Sequence, residues 1–453
     1  MENISNDTEK QPESPEQILL KGLRFQRIIN ITMVRIFFVL WISVSLIALV
    51  PTIRPTFSVT EKRELHKFPK FSFAALASGD YFDDIGLWYS DTFPLRDGFA
   101  GINGRLKNMF GIGGVEIHGE AVPANAQTEE DNSSNQNVSE AQPENAQNEN
   151  DVVIEKIGAM VIIGNSGYEY YNFNKEATDT YIASVNRAAD TLAGRVRVFN
   201  TVVPTSIAVT LDENTASKIN SSDQKSAIDY IYSNFSQNVI SVDCLNTLKK
   251  HKDEYIYFRT DHHWTAHGAY YCYCNLMKAA GFNAADLSAF TEYKFEGFLG
   301  SFYATSKMNP KLSSAPDTVF AYEPAGIEFI HTYEKGFEKD YHIVSNADKL
   351  DASEKYLTFI CGDHPLGVIT NEGIEDNSSC LVVKESFGNP LVAYLTQNYR
   401  TVYVIDYRKI KSVYGGNLIS FVDEHQINDV FFVNNISATR NAQLTRIISD
   451  FVP

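Results

Sequence analysis

Hydrophobic and polar positions change rhythm several times along the chain. The first apolar run, Ile36 to Val50 (IFFVLWISVSLIALV), carries no charge, and Ile28 to Val34 extends it upstream across Arg35. A membrane-spanning helix needs about 20 mostly apolar residues. The run reaches that length only if Arg35 lies at the interface and its side chain snorkels into the headgroups. Residues 28–50 are therefore read as a transmembrane anchor. Lys21, Arg24, Arg27 and Arg35 stand before or within it, and Arg54, Lys62 and Arg63 follow. This slight positive-inside bias puts residues 1–27 in the cytoplasm and everything after the anchor outside the cell. A cleaved signal peptide is the competing reading, but no convincing A-x-A site follows the run.

Residues 51–118 mix aromatics with Asp, Gly and Pro and predict short helices and turns. Residues 119–152 are rich in Asn, Gln, Glu, Ala and Ser, with almost nothing to bury, and predict a disordered acidic linker. From 153 to 453 strand and helix patterns alternate. IGAMVIIG reads as a strand, and Lys175 to Ala193 has helical spacing. Val196 to Pro204 is a continuous apolar strand of the kind buried in parallel sheets. A helix over 223–237 and a strand at Val239–Val242 follow. Next comes a helix over Thr265–Ala280, stopped by Gly281. Residues 283–355 give no clear pattern. Strands are then predicted at Tyr356–Gly362, Cys380–Ser386, Val402–Tyr407 and along DVFFVNN, with helices at PLVAYLTQ and Leu418–His425. Such alternation implies an α/β fold: a parallel sheet with helices on both faces.

Charge narrows the possible functions. The net charge is −17, which argues against nucleic acid as a partner, because phosphate binding needs a basic surface. Five cysteines with no CxxC pair support neither a zinc ribbon nor a redox pair, and they are read mostly as buried thiols.

Candidate chemistry falls on three strand ends, where open α/β sheets bind ligands. In CLVVKESFGNPLVAYL a buried strand runs into Ser386, with Asn389 as a helix N-cap and Pro390 at the first helical position. Ser386 is there either a plain turn residue or a nucleophile beside backbone N–H groups able to hold an oxyanion. In FRTDHHWTAHGAYYCY, Asp261 two residues before His263 can orient and charge-stabilise its ring. His263 and His267 are also four apart. A zinc reading is the rival, although Trp264 stands where an H-E-x-x-H motif needs its Glu. In DVFFVNN, Asn434 and Asn435 are either strand terminators or amide donors. Trp264, Phe387 and Tyr407 are either core or a sugar-stacking platform.

TDHHWTAHGA and VVKESFGNPLVAYLTQNYRTVYVIDYR resemble the two characteristic blocks of the DHHW proteins. These are similar to SGNH-hydrolase-like O-acetyltransferases that modify exopolysaccharides such as alginate. The resemblance implies an SGNH-hydrolase-like (flavodoxin-like) sheet with the motif order circularly permuted, since Asp–His here precedes Ser. It also implies Ser386 as nucleophile, with His263 and Asp261 as its partners. Gly388, Asn389, Asn434, Asn435, His262 and Trp264 become oxyanion or substrate candidates. Glu385 departs from the pattern, in which Asp is the commoner neighbour of the serine. No metal and no cofactor are implied. The expected activity is O-acetyl transfer, or ester hydrolysis, on a cell-surface polysaccharide, with a polytopic membrane acyltransferase as a possible partner. A glycan-binding or assembly module on the same fold is the alternative.

Overall fold

In the computed structural model the described residues are 27, 29–40, 42–43, 54–58, 63–94, 116–118 and 159–452. They fall into two compact units divided after Phe99. The expected linker, 119–152, lies outside the described residues, as do most of the expected cytoplasmic segment and both ends of the expected anchor. Residues 29–40 are helical with exposed apolar side chains. Among the described residues, no helix is long and apolar enough to cross a membrane. The rest of the first unit has the expected short helices, Phe73–Ser78 and Asp80–Asp91. Its Arg54 guanidinium lies 3.8 Å over the Trp88 ring.

The second unit is built on a mixed eight-stranded sheet. Its strands are β1 (Arg197–Val203), β2 (Val239–Ser241), β3 (Phe329–Glu334), β4 (Phe337–His342), β5 (Leu366–Thr370), β6 (Ser379–Lys384), β7 (Thr401–Asp406) and β8 (Asp429–Asn435). They are ordered β4-β3-β5-β7-β6-β8-β1-β2. The five from β7 to β2 are parallel. Every residue of β6 and β8 is buried, the continuous burial expected of strands covered on both faces.

The expectation of a purely parallel sheet is corrected at one edge, where β5, β3 and β4 extend it antiparallel. The strand expected over Tyr356–Gly362 is also absent. Lys355–Thr358 is a 3-10 turn, and Ile360, Cys361 and Gly362 follow with φ of 47°, 56° and 98°. The apolar run there is buried because a turn drives Tyr356, Phe359 and Ile360 into the core. Met160–Ile163 is a strand as expected, but it pairs antiparallel with Glu116–His118 and Ser166–Glu169 outside the main sheet. The opaque stretch 283–355 holds β3, β4 and a long hairpin, Phe290–Phe298 with Asp317–Pro324.

Connections place the helices. Right-handed crossovers are almost obligatory between parallel strands. The step from β6 to β7 moves one way along the sheet, and the step from β7 to β8 moves back. Their helices, Asn389–Leu395 and Leu418–His425, therefore lie on opposite faces. Lys175–Leu192 packs with Leu418–His425 and Ala442–Phe451, whereas Ala266–Ala280 packs with Asn389–Leu395. That last pairing brings the helix after His263 against the helix after Ser386.

Asp317, at the start of the long hairpin's second strand, ties this arrangement together. Its fully buried carboxylate accepts from the N–H groups of Arg259 and Thr260, from Thr260 Oγ1 and from the Tyr255 hydroxyl. Asp317→Ala strands those donors and should cost about 3 kcal/mol. Urea unfolding of the variant against the wild type measures this.

Candidate functional site

The loop after Phe258 is closed into a tight turn. Phe258 N–H donates to the His263 carbonyl at 3.2 Å, and Thr265 N–H to Ile256 at 2.9 Å. Thr265 caps the following helix through Gly268 N–H, as its sequence position predicts. Within this turn the Asp261 carboxylate accepts the His263 backbone N–H at 3.0 Å and faces His263 Nδ1 at 2.5 Å. Its second oxygen accepts Ser301 N–H at 2.8 Å. On the other side of the ring, His263 Nε2 lies 2.7 Å from Ser386 Oγ, a residue 123 positions away. All three side chains are buried, and Ser386 is 8% exposed. Such a chain can move a proton from the hydroxyl to the imidazole while the carboxylate stabilises the imidazolium.

Burial alone would push the Asp261 carboxyl up. The adjoining His263 and His262 imidazoles and the hydrogen bonds from His263 and Ser301 outweigh it and hold the carboxyl well below the usual range. Gly300 leaves the space this needs, since a Cβ there would collide with the Asp261 carboxylate.

Ser386 follows β6 and opens a 3-10 turn, Ser386–Gly388. The helix begins one residue earlier than expected: Gly388 is its N-cap, and Asn389 is its first residue. Glu385 organises the turn. Its buried carboxylate accepts Asn435 N–H at 2.7 Å and Phe387 N–H at 2.8 Å, and Ser386 Oγ lies 3.3 Å away. Trp264 Nε1 donates to the Phe387 carbonyl at 2.8 Å, tying the histidine loop to the serine turn.

The other expected site residues have structural partners. Gly388 N–H donates to the Glu385 carbonyl, and a Cβ at Gly388 would meet that of Lys384 at 2.6 Å. Asn389 Nδ2 donates to Asp363 at 3.0 Å. Asn434 accepts the Tyr181 hydroxyl at 3.1 Å, while Asn435 donates to Val203 and caps the turn at Ser437. The Gly388 N–H and one amide hydrogen each of Asn389 and Asn435 are thereby held by the scaffold, whereas Asn434 Nδ2 is buried without a partner. Of the two readings of Trp264, Phe387 and Tyr407, full burial fits core.

His262, like Asn434, keeps one unpartnered polar atom. Its Nδ1 lies 2.7 Å from Ser301 Oγ, but Nε2 is buried without a partner. Sequence reasoning missed Tyr356, whose ring stacks on His263 at 4.0 Å. Its only sequence signal was an apolar run that looks like a strand.

The zinc pair does not form. His267 Nε2 lies 2.6 Å from the Tyr322 hydroxyl, which itself donates to Glu292. Asp261, His262 and His263 do bring ligand-capable atoms within 4.8 Å of one another. Both Asp261 oxygens, however, already serve His263 and Ser301.

The family model of the DHHW proteins matches residues 61–150 and 135–405. The chain is a DHHW protein. No curated protein sequence matches it. Among solved structures, a DHHW family protein from Eubacterium siraeum is similar to this DHHW chain with 28% identity and a TM-score of 0.58. It covers 66% of this chain and 97% of its own. PatB1 from Bacillus cereus is similar with 16% identity and a TM-score of 0.52, covering 63% and 98%. The same protein with a sulfonyl adduct gives 15% and 0.54, covering 65% and 98%. The PatB1 likeness is one of fold: mixed α/β with a large central sheet.

Ionised Asp261 links the site to stability. A carboxyl held low by folding contributes stability in full above the unfolded carboxylate range, about pH 3.9. That contribution is lost as pH falls through the folded value. Asp261→Asn should therefore lose less stability than wild type between about pH 5 and 2, measured by urea midpoints across that window.

Proposed function

We propose that this DHHW protein transfers or hydrolyses O-acyl groups, acetyl above all, on a cell-surface or exported polysaccharide through Ser386, His263 and Asp261. The observation that carries the reading is the unbroken contact chain from Asp261 Oδ1 through both His263 nitrogens to Ser386 Oγ. As Oγ bonds to the acyl carbon, its proton passes to His263 Nε2. The proton then goes to the departing alcohol as the ester bond breaks. A sugar hydroxyl or water reverses the sequence and takes the acyl group. With the Phe387 and Gly388 N–H groups bound to Glu385, the reading assigns His262 Nε2–H to the acyl oxygen. In that tautomer the Ser301 hydroxyl donates to Nδ1.

The finer picture is also a proposal. The fold is SGNH-hydrolase-like with circularly permuted motifs, residues 28–50 anchor the chain, and the second unit works outside the cell. There a polytopic membrane acyltransferase supplies the acyl groups. Support comes from the uncharged run Ile36–Val50, the basic residues before it and the resemblance of the two motif blocks. The near-complete burial of Ser386 favours the second reading, a glycan-binding module with an idle site.

The test is p-nitrophenyl acetate with full-length wild type and Ser386→Ala, following release rate and intact mass. A burst with an acetyl adduct mapped to Ser386 and absent from the variant is expected. Equal background rates in both proteins sink the enzyme reading. Because PatB1 is recorded with a sulfonyl adduct, a sulfonyl fluoride is a second probe of the same serine. His262→Ala should slow acylation by about 100-fold, the usual order for one oxyanion donor. Single-turnover kinetics measure this.

A further inference from the structure

The His263 imidazole is packed between two rings. Tyr356 stacks on it with centroids 4.0 Å apart and planes 17° apart. His262 lies at 3.8 Å and 38°. Two rings this close cannot share one face of an imidazole, so they take opposite faces. The Tyr356 hydroxyl donates to the Ser386 carbonyl at 2.9 Å. One side chain thus touches both the ring that would take the proton and the backbone of the residue that would release it.

The segment carrying Tyr356 is held firmly. Lys355 Nζ donates to the Ala347 carbonyl at 2.8 Å. Thr358 Oγ1 donates to the Ser345 carbonyl at 2.8 Å, and Ser345 N–H returns to Thr358 at 2.9 Å. Next, the chain passes through Ile360 at φ 47° and Cys361 at φ 56°. A β-branched residue in the left-handed region persists only where its surroundings over-determine it. Here Ile360 N–H donates to the Ile343 carbonyl, and His364 Nε2 lies 2.9 Å from the Ile360 carbonyl.

We propose that Tyr356 is a positioning residue for proton transfer between Ser386 and His263: its π face stabilises the imidazolium and its hydroxyl fixes the serine turn. This rests on the acyl-transfer reading above. An aromatic face attracts a cation lying over it, more strongly where water is excluded. The other titratable groups facing the ring or its serine are Asp261 on Nδ1, His262 on the opposite face, and Glu385 beyond Ser386. Phe387 adds an uncharged ring at 4.8 Å.

The two halves of the role separate by substitution in the full-length protein. Tyr356→Phe keeps the stacked face and loses the hydroxyl bond. It should lower kcat while leaving the acidic limb of the kcat/KM–pH profile in place. Tyr356→Leu loses both and should move that limb to lower pH, with kcat/KM down about tenfold at its plateau. NMR titration of the His263 ring should show the same downward move without needing turnover. If the leucine variant does not fold, ring-fluorinated phenylalanines at 356 preserve shape while draining the π face. The limb should then descend in step with fluorination. A pH profile and His263 titration unmoved by loss or fluorination of the ring overturn the proposal. Ser386→Ala in the same assay separates the two ideas. If it leaves the rate unchanged, the acyl-transfer reading fails; if it abolishes the rate while the position-356 variants behave as wild type, only the Tyr356 role fails.

Discussion

A carboxylate that must stay charged while nearly dry governs this molecule. Removing Asp261 from water opposes its ionisation, and burial is the largest influence on its carboxyl. Ionisation survives because each oxygen meets a donor within 3 Å: Nδ1 and the backbone N–H of His263 on one, Ser301 N–H on the other. Those donors come from one tight turn and from a distant segment that begins beside Gly300. The carboxylate therefore requires the long hairpin to be folded against the histidine loop. Asp317 meets the same requirement one layer down, accepting from the backbone of Arg259 and Thr260.

The serine turn follows a parallel logic. Glu385 is fully buried, and its two oxygens take N–H groups from Phe387 and from Asn435 at the end of β8. A side chain longer than Asp is what lets one carboxylate bridge the turn and the neighbouring strand together. Trp264 then locks the two halves in register through the Phe387 carbonyl. The result is a rigid dyad of loops whose relative position is set by a tryptophan, a tyrosine and two buried acids.

Much of this was legible along the chain. The strand at Arg197–Val203, the strand before Ser386 and the DVFFVNN strand are continuous apolar runs, and full burial is the only stable place for them. The helix over 266–280 has its Thr cap and Gly stop, which are local signals. Local chemistry likewise singles out Asp261 with His263, because two residues of separation on a tight turn suffice to join them. The edge of the sheet was not legible, since β5 pairs antiparallel with β3 more than 30 residues upstream and with β7 more than 30 residues downstream.

The sequence by itself determined the central parallel strands, the capped helices and the Asp261–His263 pair, all products of periodicity and short-range bonding. Only the tertiary structure decided that Ser386 meets His263 across 123 residues. It alone turned the apolar run at 356 into a 3-10 turn that lays Tyr356 on the imidazole, and it assigned the amides of Asn389 and Asn435 to the scaffold. The physical reason is the same in each case. A side chain's partner is set by which backbone N–H and carbonyl groups remain unpaired nearby once the sheet has formed, and that depends on contacts distant in the chain.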